Sequence, residues 1–393
     1  MIVCDAGGGT VDLISYKITR LEPLQVIESV KGNGGLYGGV FVNERFEACV
    51  KARLGLERFH NYKSQKPKAW RMAVDYFEDR VKRWFGSTSM DVFEVPFPGI
   101  PDNEIAGIED GCFILTADQV QQIFEPVVHG IIHLVSQQVQ ALRDFDERVS
   151  AILCVGGFGQ SAYLQKRLKA HFQTDLPPAY SLRRNVGSSP AAVRDRENQA
   201  IEVMVSTDSW TACVRGALQR GLQDAMVLSR KCRFHYGVLS NSTFREEFHP
   251  LSSRFWCPRR EVWLAADMMK WYIKQNETVE LEREIRFEFW VTWDNDQSNA
   301  VSLEHSFNVR ASASERAPLM SNDPSVFTVC TLTTDLSDVP AKHFGSRANP
   351  SGKIYYYLEF ELVMKIDSAD IEFGLRVDGV SYGSVTVAFS QVE

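Results

Sequence analysis

Apolar and polar positions along the first 222 residues follow two periods in turn. Residues 2–5 form a short apolar run, and residues 11–18 alternate apolar and polar as a strand with one buried face does. The triplet Gly7, Gly8, Gly9 between them is a hairpin signal, and residues 24–30 read as a third strand. A second glycine-rich segment, 32–39, leads into a helix expected over about 41–54. The period then lengthens: Trp70, Val74, Phe77, Val81 and Trp84 recur at three and four, one face of a helix over 65–85. Short strands are expected at 91–95 and 112–116. After Thr116-Ala117-Asp118 a long helical run follows, from Val120 through Phe124, Ile131 and Val135 to Leu142, which Pro126 should kink or split. Residues 150–155 are a mostly apolar strand that meets Gly156-Gly157-Phe158-Gly159, and a helix opens near Ser161. Residues 183–208 read as a polar, irregular loop and 211–222 as another helix.

Strands dominate after about residue 228, with runs at 285–293, 327–332, 353–365, 371–377 and 380–389 and a hairpin signal at Asp378-Gly379. The predicted organisation is an α/β domain over 1–228 and a β-rich domain over 229–393, a sandwich or other compact antiparallel form. A chain of 393 residues is long enough for two such cores.

Composition narrows the classes. With 44% apolar and 24% charged residues the chain is neither disordered nor fibrous. A net charge of −7 gives no global basic field, so nucleic acid is not an expected partner. The eight cysteines are scattered with no C-x-x-C pair, which argues against a zinc or redox motif and fits buried thiols in a reducing compartment. No run approaches the ~18 apolar residues of a membrane helix, and the first residues lack the order of a signal peptide. A cytoplasmic location without a membrane partner is the expectation.

The most specific chemistry lies in Asp5-Ala6-Gly7-Gly8-Gly9-Thr10-Val11-Asp12. Three glycines let a turn bring backbone N–H groups against an anion without Cβ obstruction. Carboxylates flanking such a turn suit the water shell of Mg²⁺, and a hydroxyl at Thr10 suits a phosphate oxygen. A plain tight hairpin with a helpful aspartate fits these eight residues equally well. His129 and His133 stand at i, i+4 but lack the adjacent glutamate of a zincin and read as a surface pair. Trp256, Trp263, Trp271, Trp290 and Trp293 are expected in the core of the second domain rather than along a groove. No Walker A sequence is present.

Taken in order, these segments resemble the 70-kilodalton heat-shock chaperone (DnaK-like) branch of the actin-like ATPase superfamily. Asp5 to Asp12 looks like its second phosphate loop, Gly38-Gly39 like its crossing into a small upper subdomain at about 38–117, and Asp79-Arg80-Val81-Lys82-Arg83 like the helix that holds adenine and ribose. Gly156-Gly157-Phe158-Gly159-Gln160 resembles the adenosine loop, and Arg215-Gly216-Ala217 lies in what resembles the last helix of the ATPase domain. The resemblance implies the second lobe (lobe II, ribonuclease-H-like) of an actin-like ATPase followed by a β-rich, substrate-binding-like domain. It implies ATP or ADP with Mg²⁺, catalytic and ion-organising roles for Asp5 and Asp12, and phosphate contacts from Gly7, Gly8, Gly9 and Thr10. Adenosine contacts would come from Asp79, Lys82, Arg83, Gly156 and Gly157, and a client polypeptide or co-chaperone is an implied partner.

The sequence also departs from that pattern. Phe158-Gly159-Gln160 replaces the usual Ser-Thr-Arg, removing the cation that stacks on adenine and resembling a divergent fungal, Gly-Gly-Phe branch. The acid expected near the last helix falls at Asp208 or the Trp210 slot, and no helical lid is legible at the end of the chain. The family's first lobe has no counterpart here, so the chain reads as N-terminally incomplete and its hydrolysis of ATP as weak or lost. A non-catalytic protein-interaction module and a sugar- or acetate-kinase relative are the alternative readings.

Overall fold

The computed structural model describes residues 1–87, 89–173, 200–206, 211–222, 226–280, 283–294, 304–366, 371–382 and 385–389. The chain divides into two compact units, Met1–Met226 and Val227–Glu393.

The first unit is mixed α/β. It opens with β1 (Ile2–Ala6), β2 (Val11–Leu21), β3 (Leu24–Glu28) and β4 (Asn33–Gly35), followed by α1 (Gly39–Leu54), α2 (Leu56–Gln65) and α3 (Pro67–Tyr76). A three-stranded sheet of β5 (Val92–Pro96), β6 (Ile108–Glu109) and β7 (Cys112–Thr116) precedes α4 (Ala117–Asp144). Then come β8 (Ala151–Val155), α5 (Ala162–Phe172), β9 (Glu202–Val205) and α6 (Ala212–Leu222). The main sheet of this unit runs β3-β2-β1-β8-β9, with β4 also on β2. β1 is antiparallel to β2 and parallel to β8, and β8 is parallel to β9.

Alternation sets these strands. Ile2, Cys4 and Ala6 of β1 and Val11 and Leu13 of β2 are fully buried in one core with Val42, Phe46 and Val50 of α1 and Phe124, Val128 and Ile131 of α4. Ser15 continues the buried face of β2, and Gln138 Nε2 donates to its hydroxyl at 2.9 Å, so this buried polar pair is satisfied. α4 starts at a capping box between Thr116 and Gln119. It runs unbroken past Pro126. Both Pro126 and Gln122, whose carbonyl the proline cannot engage, face solvent, where water can satisfy that carbonyl.

Two stretches differ from expectation. The helix expected over 65–85 is α3, which starts with Pro67 in its first turn and widens after Tyr76 into a π-turn, Phe77–Lys82, while α2, ending at Gln65, is a separate helix that was not expected. Proline fits the first helical position because its missing N–H is not needed there. Within the supposed loop 183–208, residues 202–205 form β9, with Val203 buried. Four residues are too few to stand out from a polar flank. The stretch 183–199 and the Asp208 and Trp210 positions lie outside the described residues.

The second unit is built of antiparallel sheets. Arg254–Cys257, Val262–Ile273, His235–Thr243, Glu304–Ser312, Val326–Asp335 and Val385–Phe389 form one, in that spatial order. Glu284–Trp293, Ile354–Ile366, Ile371–Val377 and Val380–Ser381 form another, with Gly345–Ala348 on Ile354–Ile366. Cys330 and Leu332 of the first sheet share a core with Phe287, Leu358 and Phe360 of the second. The core expectation fails for Trp256 and Trp263, which are 45% and 44% exposed. They are cross-strand partners beside Arg254, whose guanidinium sits 3.9 Å from the Trp263 ring centre, a cation–π contact that shelters the ring without burying it. Trp271, Trp290 and Trp293 are half-buried.

Candidate functional site

The register of β1 on β8 sets Asp5 beside Val155, so the carboxyl ends of two parallel strands lie together. Such ends are where an α/β sheet opens a crevice. Both glycine loops leave from them, residues 7–10 from β1 and Gly156-Gly157 from β8.

The first loop closes with the Gly7 N–H donating to the Thr10 carbonyl at 2.9 Å. The start of α1 then holds it from one side. Gly39 N–H donates to the Gly7 carbonyl at 3.0 Å, Val40 N–H to Gly8 at 2.8 Å, and Gly38 N–H to Gly9 at 3.1 Å. These are N–H groups that a helix cannot pair within itself. A trans peptide sets each C=O opposite the next N–H, so carbonyls turned to α1 turn the amides of Gly8, Gly9 and Thr10 to the other side. Gly8, Gly9 and Thr10 are exposed, and a methyl added at Gly8 or Gly9 would meet nothing within 4 Å. Successive amides facing one space form an anion-binding concavity. Gly38 permits the arrangement, since a methyl there would run into the Gly8 carbonyl.

Asp5 and Asp12 are direct cross-strand partners across the mouth of this loop. Opposed like charges repel. Burial, and after it the Asp12 carboxylate, push the Asp5 carboxyl above its usual range. Thr10 Oγ1 donates to Asp12 Oδ2 at 3.1 Å. Gly156 completes this wall. Its φ of +85° favours glycine, and a methyl there would collide with the Asp5 carboxylate and the Ala6 carbonyl. Gly157 is exposed at the start of the short helical turn Phe158–Gln160, while Phe158 is buried.

The π-turn Phe77–Lys82 carries Asp79 and Lys82, and Arg83 follows it directly. Asp79 and Arg83 face solvent with side chains 58% and 69% exposed, and they pair with each other at 3.5 Å. Lys82 is 8% exposed and turned inward. Its ammonium donates to the Gly39 carbonyl at 2.9 Å, to Asn43 Oδ1 at 3.2 Å and to the Glu78 carboxylate. Asn43 Nδ2 also donates to Glu78 at 2.6 Å. Burial lowers the Lys82 pKa, and the neighbouring Glu78 acts the other way. Asp5, Asp12, Gly7 to Thr10 and Gly156 thus share one wall, and Lys82 meets α1 rather than open space. Asn43 and Glu78 escaped sequence reading, although Glu78 and Lys82 at i, i+4 are a helical ion-pair signal.

The donor set suits Mg²⁺ held through water. Two carboxylates stand beside an amide-lined loop, and this ion keeps several waters and takes few protein ligands. Among the described residues no group of three or more His, Cys, Asp or Glu could cage a metal, and His129 and His133 are exposed on α4. Among the described residues no helix is long and apolar enough to cross a membrane.

No family model matches the chain. It is similar to heat shock 70 kDa protein 12B of Homo sapiens, 25% identical over 313 residues, covering 72% of this chain and 40% of that protein. It is 23% identical over 274 residues to heat shock 70 kDa protein 12A of Homo sapiens and of Mus musculus, covering 63% of this chain and 36% of each. The chain therefore spans 40% or less of the curated relatives it matches. These relatives do not reach the narrower resemblance to a DnaK-like chaperone or a fungal branch. What they support is a distant similarity to heat-shock 70 kDa-like proteins.

Proposed function

We propose that this chain binds an adenine nucleotide, ATP or ADP with Mg²⁺, on a wall equivalent to lobe II of an actin-like ATPase. The observation that carries the reading is the pair of glycine loops leaving adjacent parallel strands, with Asp5 and Asp12 opposed at the mouth of the first. The amides of Gly8, Gly9 and Thr10 receive phosphate oxygens, and Asp5 and Asp12 hold the water shell of Mg²⁺, which neutralises phosphate charge when bound. Gly156 and Gly157 border the adenosine, and the exposed Asp79 and Arg83 supply its polar contacts.

Hydrolysis by this wall alone is slow in this reading. Phosphoryl transfer needs fixed positive charge around the γ-phosphate. Lys82 is engaged by protein acceptors, and Arg83 is a solvent-screened cation. The β-rich unit is proposed as a divergent substrate-binding-like domain, with a client polypeptide or co-chaperone as partner and the cytoplasm as location.

Isothermal titration with Mg·ADP tests the binding claim. Saturable heat is expected, and Asp5→Asn removes the enhancement by Mg²⁺ while leaving metal-free ADP binding in place. No heat at ligand concentrations of several hundred micromolar would overturn the reading.

A further inference from the structure

We propose that Lys82 is a positioning residue, bracing the phosphate loop through Gly39 instead of touching the nucleotide. A lysine ammonium has three N–H donors, and here three acceptors meet it: the Gly39 carbonyl, Asn43 Oδ1 and the Glu78 carboxylate. It is buried, so turning to a ligand would forfeit all three of these bonds in a place where water cannot readily replace them.

Gly39 is the junction of the brace. Its carbonyl accepts from Lys82, while its N–H donates to the Gly7 carbonyl. One peptide chain position therefore joins the π-turn Phe77–Lys82 to the loop of residues 7–10. A methyl on Gly39 would stand 3.2 Å from Lys82 Nζ and 3.5 Å from Phe158 Cβ, so the turn after the second glycine loop closes on the same residue. The flanking bonds from Gly38 to Gly9 and from Val40 to Gly8 move with it, since all three amides belong to the first residues of α1 and its cap. Through α1, Lys82 fixes the direction of the loop carbonyls and so of the opposed amides that would meet phosphate.

The nucleotide arm of this inference rests on the proposed function, whereas the brace itself is a statement about the protein without ligand. Both are read on the full chain with Lys82→Met, which keeps the stem and removes the donors. Hydrogen exchange at Gly38, Gly39 and Val40 is expected to speed by about tenfold or more, the signature of a local opening. Mg·ADP affinity should fall ~10-fold, about 1.4 kcal/mol, while adenosine affinity changes less than about twofold. Asn43→Leu, which removes one acceptor, should move both readings in the same direction by less, and it decides the matter should Lys82→Met not fold. Equal losses for adenosine and ADP would make Lys82 a direct adenosine contact, and unchanged exchange would remove the brace; either overturns the proposal. If the wild-type chain binds neither ligand, the nucleotide reading fails and the exchange result alone judges the brace.

Discussion

At the residue scale the glycines of the site do different jobs, and their substitutions should separate accordingly. Gly156 is needed by the fold, because its positive φ and its contact with Asp5 both exclude a side chain. Gly156→Ala should destabilise the chain by roughly 1–3 kcal/mol, read from denaturant unfolding. Gly8 faces open space and does not have a positive φ, so Gly8→Ala should stay within about 1 kcal/mol of wild type while weakening Mg·ADP binding by obstructing the phosphate. An unfolded Gly8→Ala, or one with full affinity, would place the ligand elsewhere. The sequence disclosed the glycines and the two aspartates because their chemistry is local. It could not disclose the work of Lys82. Lysine donors are directed by whatever acceptor burial brings near, and Gly39 and Asn43 reach it only in the folded chain.

At the element scale, a strand-to-strand ion pair gives the second unit a pH dependence. Glu284 of Glu284–Trp293 accepts from Arg376 of Ile371–Val377, with Nη2 to Oε1 at 2.8 Å, across the intervening strand Ile354–Ile366, whose Lys365 adds a contact at 3.5 Å. The hydrogen-bonded Arg376 guanidinium, with help from Lys365, lowers the Glu284 pKa from 4.5 to about 2. A depressed acid binds fewer protons in the folded state, so its contribution is present above about 4.5 and is lost as pH falls toward 2. Melting temperature should therefore decline through that window, and Glu284→Gln should flatten this part of the decline. A parallel decline in the variant would refute the assignment. Element boundaries were legible where periodicity was long, as in α4, which Thr116 and Gln119 announce. The π-turn was not: the spacing of Trp70, Val74, Phe77, Val81 and Trp84 runs on evenly in the sequence, yet the chain widens at Phe77–Lys82 and Trp84, just past it, is exposed instead of sharing that face.

At the scale of the whole molecule the site depends on a pairing that no local pattern records. β1 and β8 are separated by β2 to β4, three helices, the π-turn, a small sheet and α4, yet they lie side by side in register. Either glycine segment alone fits an ordinary turn. Here they leave the same end of two adjacent parallel strands, and only the ordered resemblance of several segments linked them beforehand. The two units share a chain but are built differently, one mixed α/β and one of antiparallel sheets. A ligand that used the half-buried tryptophans of the second unit would point to a different function.

Photolabelling with 8-azido-ADP, followed by peptide mapping of the full chain, tests the central claim most directly. The account predicts adducts on peptides containing residues 77–87 or 156–160, enhanced by Mg²⁺ and competed away by unmodified ADP. Adducts confined to residues 227–393, or labelling that ADP does not compete, would contradict it.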